Sequence, residues 1–231
     1  MLGVFIGIQV SNWNAARADR EREAQYLEKL TDDIGEEFVV LEEVIHTLRI
    51  RNSVIEELYQ ESLGQSLPSG IKTSLIVSDI ASEGEFSMPE PINVDALDRS
   101  NFLSYAIFAR IFSEQNSTFE TLQATGDFGL IRSQALAYGI ADYYSSVENL
   151  KRLEDGTVRH MRDDAAAVAK RHGLNPFGAN DYELVLSAIR NDAEFAASLR
   201  ALRNISATNY ALATYANEEA TSILAKLEEV N

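Results

Sequence analysis

The chain has 231 residues, a formal net charge of −16 and no cysteine. Nucleic-acid binding is excluded, because phosphate contacts need clustered Lys and Arg and here 20 basic residues are dispersed among 36 acidic ones. Disulfides, thiolate chemistry and Cys-ligated zinc are excluded too, while 45% apolar residues with only 4 prolines and 12 glycines predict an all-α chain with a sizeable core.

Residues 1–10, MLGVFIGIQV, are apolar apart from Gln9, about half of the ~20 residues that a spanning helix needs. No basic region precedes them and no small-residue cleavage site follows, so they do not form a complete signal peptide. Trp13, flanked by Asn12 and Asn14 and followed by Arg17, Arg20 and Arg22, gives the order apolar, aromatic, charged that a membrane–water interface favours. Three readings follow for residues 1–14: the C-terminal part of a membrane-spanning helix, an interfacial anchor, or an ordinary buried helix end. Asn12, Trp13, Asn14 and Arg17 are the candidate interface residues, and Gly3 with Gly7 forms a Gly-x-x-x-Gly pair of the kind that lets membrane helices approach closely.

Residues 15–231 are expected to form one helical bundle domain. Leu27, Leu30, Ile34, Phe38, Leu41, Ile45 and Leu48, continued by Ile55 and Leu58, recur at steps of three and four and predict a long seamed helix to about residue 63, continuous or broken near Gly35. Asn52 is placed at a seam position. Residues 64–94 collect Pro68, Gly70, Gly84, Pro89 and Pro91 and read as loop around a short helix at 72–81. A helix over 95–124 then meets Gly126, which suits a left-handed cap, and another runs over 133–172. Asp181 caps a short helix and Asp192 the last one. That last helix carries Phe195, Leu199, Leu202, Ala213, Ala216, Ala220, Ile223 and Leu227 on one stripe, interrupted by Ser206 and Asn209. The expected architecture is an elongated helical bundle with long N- and C-terminal helices, following the end of an N-terminal membrane helix, with the last helix folded back along the first.

Gly7-Ile8-Gln9-Val10-Ser11-Asn12-Trp13-Asn14 and the stretch 118–144, with Leu122, Gly126, Leu130, Ile131, Leu136, Tyr143 and Tyr144, resemble two segments of a family of bacterial single-span membrane-anchored helical proteins catalogued as a domain of unknown function. Ser11 and Ala15 stand where that family usually has Asn and Glu. The resemblance implies a bilayer as partner through the N-terminal segment, a bacterial inner-membrane location, an extracytoplasmic helical domain, and an N-terminal half of the membrane helix that this sequence lacks. It implies no activity.

Glu43 and His46 form a Glu-x-x-His, whose spacing puts both ligands on one helix face in di-iron bundles, but His160 and His172 have Thr157 and Ala169 three residues earlier, so a second copy is missing. They are the weak metal candidates of this chain, and no cofactor is expected. Glu36, Glu37, Glu42, Glu43, Glu56, Glu57 and Glu61 are expected on a solvated helix face. Tyr138, Tyr143 and Tyr144, with Tyr105, Phe108 and Phe112, are expected as core. Nucleophile-elbow, Walker and dinucleotide motifs are absent, and Asp127-Phe128-Gly129 reads as a turn. These features lead to a membrane-anchored interaction or scaffold protein, with a protein partner or a homo-oligomer. A ligand-sensing bundle of a membrane signalling system, or a metal-binding helical enzyme, are the alternatives.

Overall fold

A computed structural model describes residues 2–73, 76–77, 80–81 and 84–230, with side chains over 8–69 and 87–230. Among the described residues the regular secondary structure is helical apart from two short ladders. In order it holds α1 (Leu2–Leu63), β1 (Gly70–Thr73), β2 (Ile76–Val77), β3 (Ile80–Ala81), β4 (Gly84–Ser87), α2 (Phe102–Ile107), α3 (Ser117–Thr125), α4 (Gln134–Leu153), α5 (Arg159–Arg171), α6 (Tyr182–Asn191) and α7 (Ala193–Val230). Helix α1 runs unbroken through Gly35 and stops at Gly64, whose N–H still donates to the Gln60 carbonyl at 3.0 Å and whose φ of 64° turns the chain out of the helix.

The expected short helix over 72–81 is replaced by strands. β1 pairs antiparallel with β4, Ile71 opposite Phe86, and β2 pairs with β3. Ile71, Thr73, Ile76 and Val77 are β-branched, which costs side-chain freedom in a helix and suits a pleated strand. The expected single helix over 95–124 is also corrected. A 3₁₀ turn at Arg99–Asn101 leads into α2, the backbone is irregular over 108–116, and α3 follows. Gly126 caps α3 in the left-handed conformation (φ 76°), as expected.

Contacts divide the chain into two units, at residues 39/40, 112/113, 145/146 and 216/217. The first unit comprises Met1–Val39, Ser113–Ser145 and Asn217–Asn231; its buried residues include Leu27, Leu30 and Ile34 of α1, Leu122 of α3, Leu136, Ile140 and Tyr143 of α4, and Ile223 and Leu227 of α7. The second comprises Val40–Phe112 and Ser146–Ala216, where Val54, Ile55 and Leu58 of α1 share one apolar cluster with Phe102, Leu103, Ala165, Val185, Ile189, Phe195, Leu199 and Leu202. Here the first and last helices meet as expected. Arg51 donates to Ser206 at 3.2 Å and the Tyr59 hydroxyl to the Ala196 carbonyl. Asp181 accepts from the Leu184 N–H at 3.2 Å and Asp192 from the Phe195 N–H at 3.2 Å, so both caps form.

The seam of α1 differs in phase from the apolar pattern of its sequence. Buried positions run Glu23, Leu27, Leu30, Ile34, Glu37, Leu41, Val44, Leu48, Arg51, Ile55, Leu58 and Ser62, alternating steps of four and three without interruption. Phe38 and Ile45 are only half-buried beside it. Arg51, not Asn52, takes the seam position, and Asn52 is buried next to it. Helix α4 continues through one π-turn, Glu154–Val158, into α5. The extra residue of that turn shifts the buried stripe, which runs 136, 140, 143, 147, 150, 154 before it and 158, 165, 168 after it.

Candidate functional site

The N-terminal part of α1 carries the predicted interface residues in the open. Residues 8–18 are all exposed, Asn12, Asn14 and Arg17 among them, with Ile8 53%, Val10 52% and Trp13 58% accessible. Within this chain, residues 8–14 are therefore not a buried helix end. Among the described residues no helix is long and apolar enough to cross a membrane, and the Gly3 and Gly7 pair lies outside the residues whose side chains are described. Glu43 is exposed and pairs with Arg110 at 2.9 Å, while His46 is exposed on the same turn. Among the described residues no group of three or more His, Asp or Glu side chains is placed to hold a metal ion.

The polar residues that the fold singles out are ones the apolar pattern hides. Glu37 is not on a solvated face; it is fully buried in the first unit. Its Oε1 accepts the Gln115 N–H at 2.6 Å and its Oε2 the Tyr143 hydroxyl at 2.7 Å. Burial pushes its carboxyl up from 4.5 to about 7, and the two hydrogen bonds only partly oppose this. Burial, then the adjacent Glu37, raises the Tyr143 phenol too, so that hydroxyl remains a donor. Tyr144 stacks on Phe119 at 4.2 Å between centroids, and its hydroxyl has no hydrogen-bond partner among the described residues. Nearby, a groove of about 370 Å³ is lined by Tyr26, Lys29, Asp33 and Thr118. Glu37 does not line it, so this carboxyl has a shifted affinity for protons but no open face on which to act on a substrate.

A second charged group is built into the second unit. Arg51 is 1% exposed; it donates to Ser206 Oγ at 3.2 Å and to the Ile107 carbonyl at 3.0 Å, and its Nε has no partner among the described residues. Burial lowers its guanidinium to about 10, opposed by the charge of Glu154. Glu154, at the start of the π-turn, accepts the Phe112 N–H at 2.9 Å and the Asn209 amide at 3.2 Å, and burial raises its carboxyl. Ser206 and Asn209, which interrupt the stripe of α7, thus face Arg51 and Glu154.

These side chains share one task. The irregular stretch 108–116 has no ladder to bond its backbone, and buried backbone groups must find partners. Glu154 takes the Phe112 N–H and Thr47 Oγ1 the Arg110 N–H at 3.1 Å, while Arg51 donates to the Ile107 carbonyl at the end of α2, just before the stretch. In the first unit Glu37 takes the Gln115 N–H, and Glu23 accepts both the Arg132 N–H at 2.8 Å and its Nε–H at 2.6 Å. The signal that finds them in sequence is spacing: Glu23, Glu37 and Arg51 recur every 14 residues in one seam register. Of the expected aromatic core, Tyr143, Tyr144 and Phe112 are buried, Tyr105 and Phe108 half-buried, and Tyr138 is 62% exposed.

The second unit also holds a groove of about 370 Å³ lined by Asn52, Ser53, Glu56, Leu67, Met88 and Arg203 among others. Arg203 donates to the Pro68 carbonyl at 2.9 Å and lies 2.9 Å from Glu56 Oε2, an ion pair without hydrogen-bond alignment. Burial lowers the Arg203 guanidinium and Glu56 partly restores it. No family model matches the chain, and no curated protein or solved structure matches it.

Proposed function

We propose that this chain is a membrane-anchored helical interaction protein, held at a bilayer through the N-terminal turns of α1 and presenting a helical bundle to a protein partner or a second copy. The observation that carries this reading is the exposure of Ile8, Val10 and Trp13 on a helix with residues 8–18 all open. Ile8 and Val10 lie about 200° apart around the axis at 3.6 residues per turn. One partner helix would cover one side of such a helix, whereas lipid covers every side. Trp13 then sits at the level where an indole is favoured. The likeness of residues 7–14 and 118–144 to the anchored bacterial family supports an inner-membrane, extracytoplasmic placement.

Mixing the full chain with phosphatidylcholine–phosphatidylglycerol vesicles tests this. The protein should float with the vesicles and its single Trp should shift its emission to the blue. A chain that stays in the dense fraction with unshifted emission refutes the reading. The groove beside Asn52 and Arg203 supports the ligand-sensing alternative. A stoichiometric heat of binding from a small molecule, abolished by Arg203→Ala in a folded variant, would favour it.

A further inference from the structure

The groove of about 370 Å³ in the second unit is walled by Asn52 and Glu56 of α1, by Arg203 of α7, and by residues of the two segments that flank the strands. Leu67, Met88, Pro89 and Pro91 make one side of it apolar. Most polar groups of the wall are engaged within the chain. Ser53 Oγ accepts the Ile92 N–H at 2.9 Å, Glu56 Oε1 the Leu67 N–H at 3.0 Å, and the Ser69 carbonyl the Met88 N–H at 3.0 Å. The charges are matched too: the Arg203 guanidinium lies 2.9 Å from Glu56 Oε2 and gives another N–H to the Pro68 carbonyl at 2.9 Å. No cation is left over to draw an anion, and the other carboxylate of the wall, Glu90, belongs to an exposed residue where water screens it.

Two groups stand apart. Asn52 is 5% exposed, yet its Oδ1 has no partner among the described residues, and its Nδ2 meets the Met88 sulfur at 3.9 Å, a long contact with a weak acceptor. Arg203 is equally buried, and its Nε–H has no partner among the described residues. Packing alone does not explain such an amide, because an apolar side chain of the same shape avoids the cost of a buried polar group left unsatisfied. What the amide offers is recognition. It sets a donor beside an acceptor, and the complement of that pair is another amide.

We propose that this groove binds a neutral small molecule that carries an amide edge, a carboxamide or a lactam, on an apolar body. The inference gives a ligand class to the ligand-sensing alternative and does not depend on the bilayer anchor. Asn52 Oδ1 accepts the ligand N–H, and Asn52 Nδ2 donates to the ligand carbonyl, whose second lone pair takes the Arg203 Nε–H. The Met88 thioether, unbranched and able to turn about three bonds, moves off the amide as the ligand enters. The apolar body then lies against Leu67, Pro89 and Pro91. Since the binding atoms are unsatisfied in the free chain, the ligand breaks no strong internal hydrogen bond to reach them.

Benzamide, acetophenone and benzoate have nearly the same shape and test this on the unaltered full chain. Benzamide presents the donor and acceptor together, acetophenone the carbonyl alone, and benzoate a charge without a donor. Titration calorimetry should show saturable binding of benzamide, with acetophenone and benzoate weaker by about tenfold or more, the effect of leaving a buried hydrogen-bonding group unpaired. Asn52→Leu should weaken benzamide by about tenfold or more, while its helical circular dichroism is kept and its urea midpoint is no lower than that of wild type. An amide with a merely structural role would lower that midpoint. Arg203→Lys, which keeps a charge beside Glu56 and lacks the Nε–H of the guanidinium, should weaken benzamide as well. The proposal is overturned if benzamide shows no saturable binding, if the three probes bind alike as in a plain apolar cleft, or if folded Asn52→Leu binds benzamide as wild type does. Should Asn52→Leu not fold, the three probes on the unaltered chain still decide. If benzoate binds most tightly and Arg203→Ala abolishes its binding, the amide class falls while the ligand-sensing alternative stands; vesicle flotation judges the anchor separately in every case.

Discussion

Glu37 makes the stability of this protein fall as pH rises toward neutrality. Its carboxyl is fully buried, and burial holds it at about 7 in the folded chain against an ordinary 4.5. Because the folded pKa is raised, the folded state keeps a proton that the unfolded state has released, and stability is lost as pH rises through the window from 4.5 to 7. At 1.36 kcal/mol per unit the full effect is about 3 kcal/mol. Between pH 5.5 and 8, a range that avoids precipitation near the isoelectric point, the same linkage leaves about 2 kcal/mol. Glu37→Gln removes the titration but keeps the shape: the amide oxygen still accepts from the Gln115 N–H, and the amide NH₂ can donate to the Tyr143 hydroxyl oxygen. Urea unfolding of both proteins at pH 5.5 and pH 8, followed by helical circular dichroism, gives the difference directly, since the other carboxylates titrate alike in both. The variant should gain about 2 kcal/mol relative to wild type on going from pH 5.5 to 8. Parallel pH profiles, within about 0.5 kcal/mol of each other, would refute the claim that Glu37 is buried and proton-binding.

Three further outcomes follow from the same geometry. Arg51→Met should cost about 3–5 kcal/mol in urea unfolding, because Glu154 is then left buried without its countercharge and the Ile107 carbonyl loses its donor; adding Glu154→Gln should recover part of that loss. Asp192→Ala should speed amide exchange at Glu194 and Phe195, whose N–H groups it caps, and Asp192→Asn should do so less. The hydrogen bond from His172 at 2.7 Å, first, and the cap N–H groups, next, hold the Asp192 carboxyl below its usual range, so this contribution is present above the unfolded pKa and disappears as pH falls through the folded one. Glu43→Ala combined with His46→Ala should change stability by no more than about 0.5 kcal/mol, and metal analysis should read the same for variant and wild type.

Local chemistry made much of the helical plan readable. The caps at Asp181 and Asp192, the left-handed Gly126 and the stripe of α7 with its polar breaks at Ser206 and Asn209 depend on residues within a turn or two of each other, and each is where spacing places it. Strand formation at Gly70–Thr73 and Gly84–Ser87, and the loss of helix over 108–116, were settled by pairing between residues distant in sequence. No Gly or Pro breaks the 108–116 stretch. Outside a helix, three of its backbone N–H groups are taken by Glu37, Thr47 and Glu154 in place of intrahelical carbonyls. The phase of α1 was decided in the same way. Hydropathy alone favours Phe38 and Ile45 over Glu37 and Val44, and only knowledge of which backbone groups need a buried carboxylate reverses the choice at Glu37. A charge costs so much to bury alone that its position in the core reflects its partner rather than its own hydropathy, and partners are assigned by the tertiary fold.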